Sequence, residues 1–275
     1  MSPEEVMQKA LEQHNPTAVI CLFSGGHDSL TATHYVMSNY AHLAPEVVHI
    51  DTGIGIPETQ QFVIDTCEQF GWPLSIYRAA ENVKADGTPD PMVYDDIVIA
   101  NGFPGPGAHR IMYSKLKQRQ VRRVVRERKK RRSDRVLLAS GVRREESTRR
   151  MGTTEYIQRD GAQVWAAPLL DFTGSDQKQY MAHHELPRNP VKDKLCMSGE
   201  CLCGAFAHEG ELAEIEFWYP ETGRRIRELE RKVTDAGHKG NWEKSRWKRD
   251  AKVEKAGPMC ATCDARFDAA VGQDQ

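Results

Sequence analysis

The densest chemistry in the chain is the hexapeptide Ser24-Gly25-Gly26-His27-Asp28-Ser29, set between an apolar run at 18–23 ("AVICLF") and a stretch with helical spacing at 29–40. A strand that turns through two glycines straight into a helix leaves several backbone N–H groups uncovered at the positive end of the helix dipole. An anion is stabilised there, and the glycines let it approach the backbone closely. Ser24 and Ser29 add hydroxyl donors for phosphate oxygens, and Asp28 is placed either to cap the helix or to help hold Mg²⁺. The spacing does not match G-x-x-x-x-G-K-[ST], so this is a phosphate loop of another kind.

Other residues of this type stand further along. Asp51-Thr52-Gly53 closes a second apolar run ("EVVHI"), and Glu58 and Thr59 open the helix-like stretch after it. There Glu58 serves equally as a first-turn partner of the helix dipole. Gly141 follows "DRVLLAS", with Arg143, Arg144, Arg149 and Arg150 beyond it. Guanidinium groups chelate phosphate or sulfate oxygens in pairs, which suits a charged leaving group. Of the seven cysteines, Cys21 and Cys67 sit in apolar or helical surroundings and read as small buried thiols. Cys196, Cys201, Cys203, Cys260 and Cys263 crowd the last third. In a reducing compartment such crowding, with a C-x-x-C at its end, points to a metal or cluster before it points to disulfides.

The elements that must position these residues follow from the hydrophobic pattern. Short apolar runs at 18–23, in "EVVHIDTG", in "PLSIYRA" and in "DRVLLASG" alternate with helical segments, one of which runs through "IMYSKLKQRQVRRVVRERKKR". The helix "PETQQFVIDTCEQF" has Pro57 in its first turn and Gly71 just past its end. This alternation predicts an α/β fold, a parallel twisted sheet with helices on both faces, whose ligands bind at the C-terminal ends of the strands. After about residue 190 the pattern becomes helical, interrupted at Pro220, Gly223 and Gly237. The expected organisation is a nucleotide-binding domain over 1–190 and a smaller helical, cysteine-bearing region over 191–275.

Composition narrows the partners. A formal charge of −1 conceals a basic run at 115–135, relieved only by Glu127 and Asp134. Val121, Val124 and Val125 are spaced to bury one face of that helix, so the charges cover the others. They form either a solvated surface or a phosphate-backbone contact. Within 238–252, Trp242 and Trp247 lie among lysines and arginines, placed either to stack exposed bases or to pack the C-terminal region onto the sheet. No apolar stretch approaches the ~20 residues of a membrane span. The acidic, amphipathic N-terminus is unlike a secretory signal, so a cytoplasmic location is expected.

"SGGHDS" resembles the SGGxDS signature of the PP-loop superfamily, whose members bind ATP or an adenylyl-sulfate and react at the α-phosphate. In the same order, "VVHIDTGIGIPETQQFV", "LLASGVRREESTRR" and "VWAAPLLDFTGSDQKQYMAHHELPRNPV" resemble successive segments of the phosphoadenosine phosphosulfate (PAPS) reductase family, together covering roughly 15–205. The resemblance implies an adenine nucleotide held by Ser24–Ser29, Asp51, Thr52, Gly53 and Gly141, with the turn at Glu58 and Thr59 against the adenosine. Arg143 and Arg149 match the family's Gly-x-Arg segment and would stabilise developing negative charge. It also implies a [4Fe-4S] cluster on Cys196, Cys201, Cys260 and Cys263 with Cys203 as the spare, structural zinc being the alternative.

The departures from the family pattern carry equal information. His27 stands where a lysine is common. "GAHRIMYSKLK" lacks the adjacent cysteine pair of iron–sulfur sulfonucleotide reductases, and the tail "DARFDAAVGQDQ" lacks their nucleophilic cysteine. Without a thiolate there is no thiosulfonate intermediate. The expected function is therefore adenylation of an acceptor oxygen with pyrophosphate release, in sulfur transfer to an acceptor such as nucleic acid, with a cysteine desulfurase or similar sulfur donor. The alternatives are reduction of PAPS or adenylyl-sulfate by an external thiol, and a non-catalytic nucleotide- and nucleic-acid-binding module.

Overall fold

The run at 18–23 contains β1 (Ala18–Leu22). Its side chains alternate between two cores, Val19 and Cys21 on one side and Ile20 and Leu22 on the other, the pattern of a strand covered on both faces. The computed structural model describes residues 1–82, 87–88, 93–146 and 155–244. Among these, β1 is joined by β2 (Glu46–Asp51), β3 (Leu74–Arg78), β4 (Val136–Ala139), β5 (Ile157–Asp160) and β6 (Gln163–Ala166) in one sheet of order β3-β2-β1-β4-β6-β5. All neighbours run parallel except β5, which pairs antiparallel with β6 at the edge. The parallel sheet expected from the alternation is thus present with one reversed edge strand. Its hairpin was not legible because β5, Ile-Gln-Arg-Asp, is mostly exposed and turns on Gly161 at φ 59°.

The helices begin with α1 (Pro3–His14), which starts with a reciprocal Ser2–Glu5 capping box and Pro3 in its first turn. They continue through α2 (His27–Asn39), α3 (Pro57–Phe70), α4 (Tyr94–Asn101), α5 (His109–Met112), α6 (Arg119–Arg128) and α7 (Gly174–His183). One sheet face is covered by α1, α2, α3 and α7 through residues such as Met7, Leu30, Val63 and Met181. The other is covered by α6 through Val121, Val124 and Val125, the three valines whose spacing predicted it. The single helix expected through 111–131 is in fact interrupted: Tyr113–Gln118 between α5 and α6 is π-helical, and α6 ends at Arg128. A π turn carries one extra residue, which re-aims side chains and is often found at functional sites. Here it turns Lys117 inward, where it is 5% exposed.

Beyond β6 come α8 (Pro190–Leu195), α9 (Glu211–Trp218) and α10 (Pro220–Asp235). Their core residues Val191, Leu195, Ile215, Ile226 and Val233 share one cluster with Ile54, Ile56, Tyr94, Met112 and Leu116 from the earlier part of the chain. Pro220, read as an interruption, does separate α9 from α10 and lies in the first turn of the latter. Gly223 does not interrupt the helix: it lies within α10, where a β-carbon would collide with Glu216 of α9. The glycine permits the close approach of the two helices. No helix among the described residues is long and apolar enough to cross a membrane.

Candidate nucleotide site

The loop between β1 and α2 lies at the C-terminal edge of the sheet. Gly25 adopts φ 81°, a conformation that suits glycine, and a β-carbon there would stand 2.6 Å from the Thr59 methyl. Gly26 is the N-cap of α2 and supplies no side-chain cap, so the helix presents its first amides without a capping oxygen. The two serines hold the turn: Ser24 N–H donates to Ser29 Oγ (3.2 Å), the two hydroxyls lie 3.0 Å apart, and Ser29 Oγ donates to Gly26 O (2.9 Å). Asp28 is not a helix cap. Its Oδ1 accepts from Arg143 Nε at 2.6 Å, and Arg143 also donates to Phe172 O (3.3 Å). The ion pair is nearly buried, with side-chain exposures of 11% for Arg143 and 17% for Asp28. It ties the segment after β4 to the start of α2. Gly141 sits in the same contact, directly against the Asp28–Ser29 peptide.

An open cleft lies over this loop, lined by Ser24, Gly26, His27, Asp28, Ser29, Ser140 and Gly141. Its apolar wall is Leu22, Val48 and Ile50. Its remaining polar wall comprises Lys117, Lys192, Ser198 and Glu200. Lys117 Nζ donates to Glu200 Oε2 at 2.7 Å, with both side chains 7% exposed. Sequence reasoning did not single out these four residues. Lys117 is hidden within a run of surface cations, and Ser198 and Glu200 lie between cysteines that drew the attention. The π turn and a chain reversal bring them in.

His27 is 8% exposed and its Nε2 accepts the Asn189 backbone N–H at 3.2 Å, which places the ring proton on Nδ1 in the neutral form. Burial and then Arg188 push its pKa below the ordinary imidazole value, against the opposing pull of Asp193 at 4.0 Å. Asn189 Nδ2 also donates to Gly25 O (2.8 Å), so one asparagine fixes both ends of the loop.

The residues at the end of β2 and the start of α3 are engaged as follows. Asp51 Oδ1 accepts from Gly53 N–H (2.8 Å) and Oδ2 lies 3.7 Å from Arg78 Nε, so the carboxylate is engaged in its own turn. Thr52 Oγ1 donates to Glu200 O (2.9 Å) and Thr59 Oγ1 to Ser198 O (2.5 Å). Backbone bonds from Ile56 N to Gly199 O and from Leu202 N to Ile54 O complete the seam. The 198–202 segment is therefore zipped to the 52–59 turn and carries Ser198 and Glu200 to the cavity. Glu58 is exposed, and Asp51, Thr52, Gly53, Glu58 and Thr59 are not among the lining residues.

Cys196 is exposed at the end of α8 with φ 55°, Cys201 is half-buried and Cys203 buried. The Cys203 thiol, hydrogen-bonded to Cys201, and then Lys117 draw the Cys201 thiol below the usual range against the cost of burial. Cys21 and Cys67 are buried thiols, as their surroundings predicted, and burial pushes Cys67 up to about 12. Among the described residues no three His, Cys, Asp or Glu side chains converge on one point. Arg149, Arg150, Trp247, Cys260 and Cys263 lie outside the described residues. Trp242 does not present its ring to bases. It is 1% exposed, its Nε1 donates to Leu202 O (2.8 Å), and Gly204 leaves room beneath it. Packing wins over stacking at that position.

The family profile described as "Phosphoadenosine phosphosulfate reductase domain" matches residues 18–202. An "Uncharacterized 37.8 kDa protein in gpa 5'region" of Escherichia phage 186 is 30% identical over 171 residues, 60% of this chain and 49% of the phage protein. The chain thus spans about half of that relative. A "Phosphoadenosine 5'-phosphosulfate reductase" of Xylella fastidiosa (strain M12) is 25% identical, over 65% of this chain and 69% of the reductase. Among solved structures, a PAPS reductase from Candida auris in a phosphate complex has a TM-score of 0.49 at 17% identity, covering 70% of this chain and 84% of that one.

Proposed function

The chain belongs to the phosphoadenosine phosphosulfate reductase domain family, enzymes of the PP-loop type, and from that premise we propose that it binds ATP through Ser24–Ser29 and cleaves it at the α-phosphate. An acceptor oxygen attacks the α-phosphorus, the bond from that phosphorus to the bridging oxygen breaks, and pyrophosphate leaves with the electron pair. The adenylated position is then open to displacement of AMP by a sulfur nucleophile from a donor such as a cysteine desulfurase, with nucleic acid as a fitting acceptor.

The observation that carries the reading is the cavity at the strand ends. It combines the uncapped N-terminus of α2, two serine hydroxyls and Lys192 around one space, with Lys117 already paired to Glu200. Oriented amides and a nearby cation stabilise charge that grows on the leaving group. In this reading Arg143 orients Asp28, which takes Mg²⁺ when the nucleotide brings it, and Arg149 supplies a further guanidinium. His27, neutral, donates from Nδ1 where a lysine would add a charge. Cys196 and Cys201 would contribute to a [4Fe-4S] cluster completed by Cys260 and Cys263, with Cys203 as the spare and zinc as the competing occupant.

Incubation with ATP and Mg²⁺ across a panel of acceptors tests the reaction. Pyrophosphate release supports it, whereas sulfite from PAPS with an external thiol supports the second reading, which the family match favours. Tight nucleotide binding with no turnover under any condition overturns both. Iron and sulfide in protein purified without oxygen support the cluster, and stoichiometric zinc alone overturns it.

A further inference from the structure

The basic run has a second destination besides the cavity. Several of its cations are spent inside the fold: Lys117 on Glu200, Arg123 on Glu81 and Glu127, and Arg128 on Glu46 at 2.7 Å. Arg122, Arg126, Lys129, Lys130, Arg131 and Arg132 are not. Among the described residues no carboxylate pairs with their side chains, and together they line a concavity of about 680 Å³ floored by Val125, Ala162 and Gln163. The nearby Asp134 carboxylate accepts the backbone N–H groups of Lys130 and Arg131, both at 2.8 Å, and so shapes the turn. Six cations crowd one hollow and repel one another, the Asp134 carboxylate offsetting part of the charge of Arg131 and Lys129.

We infer that this hollow is a docking site for the phosphate backbone of double-stranded nucleic acid, separate from the nucleotide cavity. The lining selects the duplex: it offers six cations to phosphates and contains no aromatic ring, so nothing there can stack an unpaired base.

Position gives the site its role. The hollow borders the first residues of β4 and β6, where Val136 pairs with Gln163, while Ser24 and Ser140 stand at the opposite strand ends. The length of β4 alone separates them by about 13 Å. A duplex held here is anchored at a distance from the reacting phosphate, so only a substrate long enough to span the sheet could occupy both. The inference does not depend on the adenylation chemistry, since pyrophosphate release and ATP affinity are measured without nucleic acid.

Anisotropy of labelled mixed-sequence duplexes of about 20 base pairs, DNA and RNA, tests it between roughly 50 and 200 mM salt. The expected result is sequence-independent binding of a duplex with a log–log salt slope of about −3 to −5. In the triple variant Arg126→Gln, Lys130→Gln, Arg131→Gln, affinity falls at least about tenfold and the slope shrinks by about 3, with ATP affinity and melting temperature unchanged. The pair Arg122→Gln, Arg132→Gln should act in the same direction. Either duplex form supports the inference. Preference for single-stranded DNA, no duplex binding at the lowest salt, or variants that bind as the parent does would overturn it.

Discussion

An alanine at position 141 would place its methyl carbon 2.5 Å from the carbonyl carbon and oxygen of Asp28 and from the Ser29 amide nitrogen. All three are backbone atoms of the first turn of α2, so no side chain can swing aside. Reaching the 3.4 Å of an ordinary contact requires a displacement of about 0.9 Å between the end of β4 and the start of that helix. Overpacking of this kind costs about 1–3 kcal/mol, and for a chain of this size each kcal/mol lowers the melting temperature by about 2–4 °C. The larger effect falls on the ligand. Losing even one charge-assisted hydrogen bond costs about 1.5–3 kcal/mol, which is about tenfold or more in affinity. Calorimetric titration with ATP and Mg²⁺, alongside thermal unfolding, reads both quantities. Gly26→Ala provides the contrast for folding, because its nearest neighbour, Ser198 Cβ, stands 3.5 Å away and its φ of −78° suits any residue. If Gly141→Ala melts and binds ATP as the parent does, the loop is not held by this contact and the geometric argument fails.

Two further outcomes follow from buried charge. Lys117→Met alone leaves Glu200 facing a low-dielectric pocket and should cost about 3–5 kcal/mol, while Lys117→Met with Glu200→Met should recover much of it; denaturant unfolding of the double-mutant cycle checks this, and strict additivity would refute the pairing. His34 is 8% exposed among Phe70, Trp72, Tyr180 and His184, and burial pulls its pKa down to about 4. Because the unfolded chain binds that proton more readily, stability is complete above about pH 6.5 and falls by about 3 kcal/mol as pH drops towards 4. Unfolding curves at pH 7 and 4.5 should show a smaller loss in His34→Phe than in the parent, and equal losses would refute the assignment.

The strand-turn-helix at Ala18–Asn39, the parallel alternation and the glycine turn between β1 and α2 were legible in the amino-acid order, because each rests on local chemistry: apolar runs of strand length, glycines where a left-handed φ is needed, and a helix that begins without a side-chain cap. The burial of Val121, Val124 and Val125 follows from the same kind of local periodicity. What only the tertiary structure decided are pairings between distant segments. Lys117 became a cavity residue because a π turn rotated it inward, away from the cations beside it. Thr52 and Thr59 fasten the 198–202 segment, a pairing that linear order did not show, and that seam brings in Glu200. Trp242 is packing rather than a stacking platform, because Gly204 leaves room for its ring and Leu202 O accepts its N–H. Composition and spacing record what a residue can do; which partner lies within 3 Å is set by how the chain returns on itself, and linear order holds no measure of that distance.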